Sequence, residues 1–111
     1  MSADLSQVEA IVIEAQVEAA KACRAYLAAH GDRDACGFAW VNVWGVRSNS
    51  KLGNALKKAG FRKDWKPKTL SMWNPGGLPV QNIDIKEAGA YAYATFLQTL
   101  GLQAYAGSRL D

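Results

Sequence analysis

Residues Cys36–Val46, CGFAWVNVWGV, constrain this chain more than any other stretch. β-Branched and aromatic residues dominate it. Gly31 and Asp32 precede it and the polar run Arg47–Ser50 follows, which together predict one β-strand. Alternate residues of a strand point to opposite sides. One side then carries Cys36, Phe38, Trp40, Asn42, Trp44 and Val46, and the other Gly37, Ala39, Val41, Val43 and Gly45. The small side suits a helix lying close against it. The aromatic side, with one amide between two indoles, is the side that a function has to explain.

The rest of the pattern supplies what packs on the small side. From about Asp4 to Ala29, the residues Leu5, Val8, Val12, Ala15, Ala19, Ala22, Cys23, Tyr26 and Leu27 recur at three- and four-residue steps, the stripe of an amphipathic helix. Ser2, Asp4 or Ser6 can cap its start, and Gly31 stands where a left-handed stop belongs. Ile11, Ile13 and Val17 widen the apolar surface beyond one contact, so this helix is either held on two sides or meets another subunit. A second helix runs from a Ser48 or Ser50 cap to Ala59, with Leu52, Ala55, Leu56 and Ala59 inward and Gly60 as its end. After a basic loop, Arg62–Lys68, comes a strand at Lys68–Trp73. Asn74-Pro75-Gly76-Gly77 reads as a turn, and Leu78–Ile83 as an extended segment. Asp84 and Glu87 have the spacing of a capping box. They open a third helix to about Leu100, with Ile85, Ala88, Gly89, Ala92, Phe96 and Leu100 on its packed face. Gly89 is expected to lie close against the Cys36–Val46 strand. Leu102–Leu110 closes the chain as a strand. The order α-β-α-β-α-β predicts a single α+β domain over residues 1–111, a two-layer sandwich with a three-stranded sheet.

Composition removes several function classes. Hydrophobic residues make up 50% and charged residues 21% of the chain, the balance of a globular domain rather than a disordered one. No run approaches the ~18 apolar residues of a membrane helix. MSADLSQVEA holds no basic region, so no secretory signal is expected. A reducing cytoplasm follows, with Cys23 and Cys36 as free, buried thiols. His30 is the single histidine, and no third group orients it toward Cys36 as a nucleophile pair requires. Metal-binding spacings, a P-loop and a dinucleotide fingerprint are missing from the sequence. Asp84 and Glu87 serve capping, and Asp64 stands alone among cations. No catalytic residue, metal ligand or cofactor is therefore assigned, and an enzyme is not expected.

Charge is where the sequence becomes specific. The net charge of +3 hides a centre, residues 47–68, with eight Lys or Arg against Asp64 alone. Such asymmetry speaks about partners. Trp40 and Trp44 share the aromatic side of the first strand, Trp65 sits in the basic loop, and Tyr105 and Arg109 share one side of the last strand. If those sides coincide, flat rings lie among Arg47, Arg62, Lys63, Lys66, Lys68 and Arg109. Single-stranded nucleic-acid binders use this combination, cations following phosphates and rings stacking bases. The other reading is a homodimer that buries Trp40 and Trp44 between subunits and acts by binding proteins.

The tail IDIKEAGAYAYATFLQTLGLQAYAGSRLD, with CGFAWVNV upstream, resembles small bacteriophage-encoded proteins of no assigned activity. The resemblance spans residues 36–111 and implies a phage-related accessory protein. It implies no site residue.

Overall fold

A computed structural model describes residues 5–31, 36–77 and 82–110. The cap candidates Ser2 and Asp4, and the extended segment 78–81, lie outside the described residues.

Helix α1, Leu5–His30, buries Val8, Val12, Ala15, Ala19 and Cys23, one stripe at the helical period. Gly31 ends it at φ 75°, its N–H donating to the Leu27 carbonyl at 2.7 Å. Helix α2, Lys51–Ala59, is capped by Ser50, whose Oγ accepts from Gly53 N at 2.9 Å. Gly60 closes it at φ 118°, a left-handed conformation that glycine adopts without steric cost. Leu56 and then Phe61 are buried beneath it. Helix α3, Ile83–Gln98, is capped by Asn82, which accepts from Ile85 N at 3.1 Å. The expected capping pair is thus corrected. Asp84 lies within the first turn, and Glu87 accepts a hydrogen bond from the Ser108 hydroxyl.

The strands are β1 Gly37–Trp44, β2 Arg62–Lys63, β3 Thr69–Trp73 and β4 Gln103–Leu110. They form one antiparallel sheet in the order β2-β3-β1-β4. The α+β class stands, but the three-stranded sheet and the order α-β-α-β-α-β are corrected to four strands and α-β-α-β-β-α-β. The expected basic loop is a hairpin: Arg62 pairs with Ser71, Lys63 with Leu70, and Asp64 N donates to the Thr69 carbonyl at 3.0 Å. Two paired residues are too few to carry an alternation, so β2 left no pattern in the sequence.

All three helices contribute to the core on one side of the sheet. Ala39, Val41, Val43, Leu70, Met72 and Ala104 are buried there among Val12, Leu56, Tyr93 and Leu97. Helix α3 lies against β1 and β4, and α1 packs on α3 and α2. Being covered on two sides, α3 buries Ile85, Lys86, Gly89, Ala90, Tyr93, Ala94 and Leu97, a wider set than the expected face. Gly89 makes a close contact, but with a different neighbour from the one expected. A Cβ there would stand 2.5 Å from Cys23 Sγ and 3.2 Å from the Gly76 backbone. The crossing of α1 and α3 is what needs this glycine. β1 meets α3 at Gly37 instead, where a Cβ would fall 2.6 Å from the Ile83 side chain.

Candidate nucleic-acid interface

Paired residues of an antiparallel sheet project to the same side. The side away from the helices can therefore be read as rows across the strands. At one end Phe38 faces Arg109. The next row holds Trp73, Trp40 and Gly107, and the third holds Arg62, Ser71, Asn42 and Tyr105. The fourth holds Thr69, Trp44 and Gln103. A polar row thus lies between two indole rows.

Ring packing fixes the first indole row. Trp40 and Trp73 lie with centroids 4.8 Å apart, and Phe38 meets Trp73 edge-on at 5.7 Å. Gly107 makes room for this arrangement, since a Cβ there would come within 2.6 Å of Trp40 Nε1. At the far end Trp44 meets Tyr105 at 6.5 Å, edge to face. Trp44, Trp65, Trp73 and Tyr105 are all exposed, Trp65 by 85%. Large rings left in water like this are costly unless something covers them.

Cations sit on these rings at both ends. The Lys66 ammonium lies 5.3 Å from the Trp44 centroid and 5.4 Å from that of Trp65. Arg109 stands 5.7 Å from the Phe38 centroid. Lys86 is buried; its Nζ donates to the Gly37 carbonyl at 2.7 Å and stands 5.3 Å from Phe38. Each exposed cation–ring contact is worth ~0.5–1 kcal/mol, enough to orient a side chain and too little to prevent its moving to a phosphate.

Between the rings opens a cleft of about 320 Å³, bordered by Trp40, Trp44, Trp65, Trp73, Lys66 and Arg109, with Asn42, Ser71 and Thr69 beneath and Asp64 at its edge. Its volume falls in the range of small-ligand sites. Of the residues expected to act together, Trp40, Trp44, Trp65, Lys66 and Arg109 meet at this cleft, with Tyr105 and Arg62 on the same side in register. Arg47, Lys63 and Lys68 do not join them. Arg47 is exposed in the β1–α2 connection, and Lys63 holds the register position of the helix side, opposite Leu70. Lys68 turns the hairpin at φ 52°, its carbonyl accepting from Gly45 N at 2.8 Å and Val46 N at 3.1 Å. Phe38, Asn42, Ser71 and Trp73 were not among the expected site residues, although the alternation of their strands places them on this side.

Nucleophile and metal chemistry find little support. Cys23 is buried, its thiol donating to the Ile85 carbonyl at 3.1 Å, and burial pushes the thiol up. Cys36 is exposed rather than buried as expected; it precedes β1, and its backbone forms an isolated bridge to Asn82, the N-cap of α3. His30 stacks on Tyr26 at 4.3 Å. Among the described residues no group of three His, Cys, Asp or Glu could hold a metal ion, and no helix is long and apolar enough to cross a membrane.

Compared with models of protein families, with curated proteins and with solved structures, the chain gives no match.

Proposed function

We propose that this chain is a non-enzymatic accessory protein that binds single-stranded nucleic acid across the open side of its sheet. The observation that carries this reading is the coincidence of rings and seated cations on one face: exposed Trp44, Trp65, Trp73 and Tyr105 and half-buried Trp40, with Lys66 and Arg109. Bases stacking on such rings gain ~1–3 kcal/mol each, whatever their identity. Phosphates draw the ammonium and guanidinium groups off the rings, and those cations displace counterions from the strand. A duplex keeps its bases stacked on each other and offers the rings little. A phage-related role is part of this proposal and draws on the resemblance of residues 36–111 to phage-encoded proteins.

Titration of the tryptophan fluorescence with single-stranded and duplex oligonucleotides, in low and in moderate salt, tests this. Quenching by single strands, weakened by salt, is the expected result. An unchanged signal with both forms in both salts rejects the reading.

A second reading, a homodimer, draws on a separate surface. Ile13 and Val17 are 67% and 50% exposed on α1, beside a groove of about 430 Å³ between α1 and α2. Covering them with a second copy leaves the open sheet face free. In the alternative dimer, which buries Trp40 and Trp44 between subunits, nucleic acid is excluded.

A further inference from the structure

The polar row in the middle of the open face has a feature that stacking alone does not use. Asn42 is half-buried and Ser71 buried. They face each other across β1 and β3. Neither side chain has a hydrogen-bond partner among the described residues. The neighbouring hydroxyl of Thr69 differs, since it donates to the Pro67 carbonyl at 3.1 Å. Their polar atoms open on the cleft and are free to meet a ligand. Here an amide offers a donor and an acceptor together, with one hydroxyl beside it on β3 and the Tyr105 phenol in register on β4.

The surroundings fix what can lie on that row. The indole rows of Trp40 and Trp44 are four residues apart along β1, roughly 13 Å at strand spacing. Bases stacked at about 3.4 Å per step would bridge this distance as a pile, keeping their edges away from Asn42. A splayed strand instead leaves one base between the rings with its edge on the row. The two seated cations flank that position from opposite ends, Arg109 beyond Trp40 and Lys66 over Trp44. They suit phosphates of the strand where it enters and where it leaves the cleft. Asp64, whose carboxylate accepts from Lys66 N at 3.3 Å, borders the cleft and keeps phosphate out of its centre.

Resting on the single-strand reading above, the geometry points to a base-reading pocket: one splayed nucleotide enters the cleft and is read by Asn42 with Ser71. An Asn amide matches adenine best, accepting from the exocyclic N6 and donating to a ring nitrogen. The ligand class is therefore single-stranded nucleic acid with an adenine flanked by two phosphates, bound among nucleotides that are held without regard to sequence.

The test uses the full chain and a thymidine octamer, unchanged or carrying one adenine, cytosine or guanine at its centre. The adenine octamer should bind about fivefold or more tightly than the thymidine octamer, the lower end of what one good amide–base pair gives. Asn42→Ala should erase that preference, with an unchanged melting curve of the free protein certifying the fold. Asn42→Asp removes the donor and should shift the preference to cytosine, whose N4 donates. Equal affinity for all four octamers, or an adenine preference that survives Asn42→Ala, overturns the pocket while leaving the single-strand reading in place. Failure of every octamer to bind removes that reading, and the pocket with it.

Discussion

Three single residues carry testable physics. A methyl at Gly107 has to displace the Trp40 indole and loosen its stack on Trp73. Gly107→Ala should cost ~1–3 kcal/mol by overpacking, read as a lower melting temperature with an altered tryptophan spectrum. Gly89→Ala should also destabilise, although alanine is the better helix former by ~1 kcal/mol, because its methyl meets Cys23 Sγ at 2.5 Å. Removing the sulfur in Cys23→Ala with Gly89→Ala should recover part of the loss, a coupling that a thermal double-mutant cycle reads directly. Tyr93 is fully buried against Phe61, its hydroxyl without a partner among the described residues. Burial pushes its pKa up to about 12. An unfolded tyrosine loses its proton near 10. Between these values the unfolded state holds fewer protons, so stability is full below about pH 10 and falls as pH rises toward 12. The gap corresponds to about 2–3 kcal/mol. Tyr93→Phe should flatten that part of the alkaline stability curve and cost little at neutral pH, since no hydrogen bond is lost.

At the level of elements, the β2–β3 hairpin divides the basic centre into working and idle parts. Lys66 lies over Trp44 and Trp65, whereas Lys63 holds the helix-side register. Lys66→Glu alone should therefore reproduce most of the binding loss of Lys63→Glu with Lys66→Glu, and reduce the salt slope by about one phosphate contact. Trp65→Ala should weaken binding with little change in slope, because stacking releases no counterions. The hairpin also shows where the sequence stops being legible. Both faces of β1 were legible from Gly37 to Trp44, because eight residues of alternating burial leave one solution. The expected end at Val46 is corrected: Gly45, at φ 78°, leaves the strand, and Val46 turns into the core rather than onto the aromatic side. The pair Arg62–Lys63 offers no period, and its strand exists only through hydrogen bonds to β3. α3 was legible as a helix but not in phase, since burial against both α1 and the sheet blurs the single stripe on which a phase depends. The rings of the site were readable strand by strand. Their convergence was not, because it depends on β3 and β4 flanking β1 on opposite sides, and strand order leaves no local trace.

For the molecule as a whole, the two unpartnered surfaces lie on separate elements, the aromatic rows on the sheet and Ile13 with Val17 on α1. This arrangement permits assembly and ligand binding at once. If α1 forms the dimer contact, sedimentation should give a dimer at tens of micromolar protein. Ile13→Asp with Val17→Asp should then return a folded monomer, because both side chains are exposed in the subunit. Its melting temperature should be lower only by the lost association and no longer dependent on protein concentration. A wild-type monomer under those conditions rejects the dimer.

The position of β1 between β3 and β4 also governs how the chain reaches this structure. Trp40 pairs with Trp73 on one side and, much further along the chain, with Gly107 on the other. The second pairing closes a long loop before any contact rewards it, which makes it a slow step in folding. During synthesis β1 and β3 emerge first, so β1 is paired on one flank only, and its other flank stays bare until β4 leaves the ribosome. A half-built sheet with an indole-rich strand at its margin is a template for pairing with other chains. The nascent protein is thus most prone to aggregation in the interval before β4, Gln103–Leu110, arrives, and a truncated product ending near residue 100 inherits that hazard permanently.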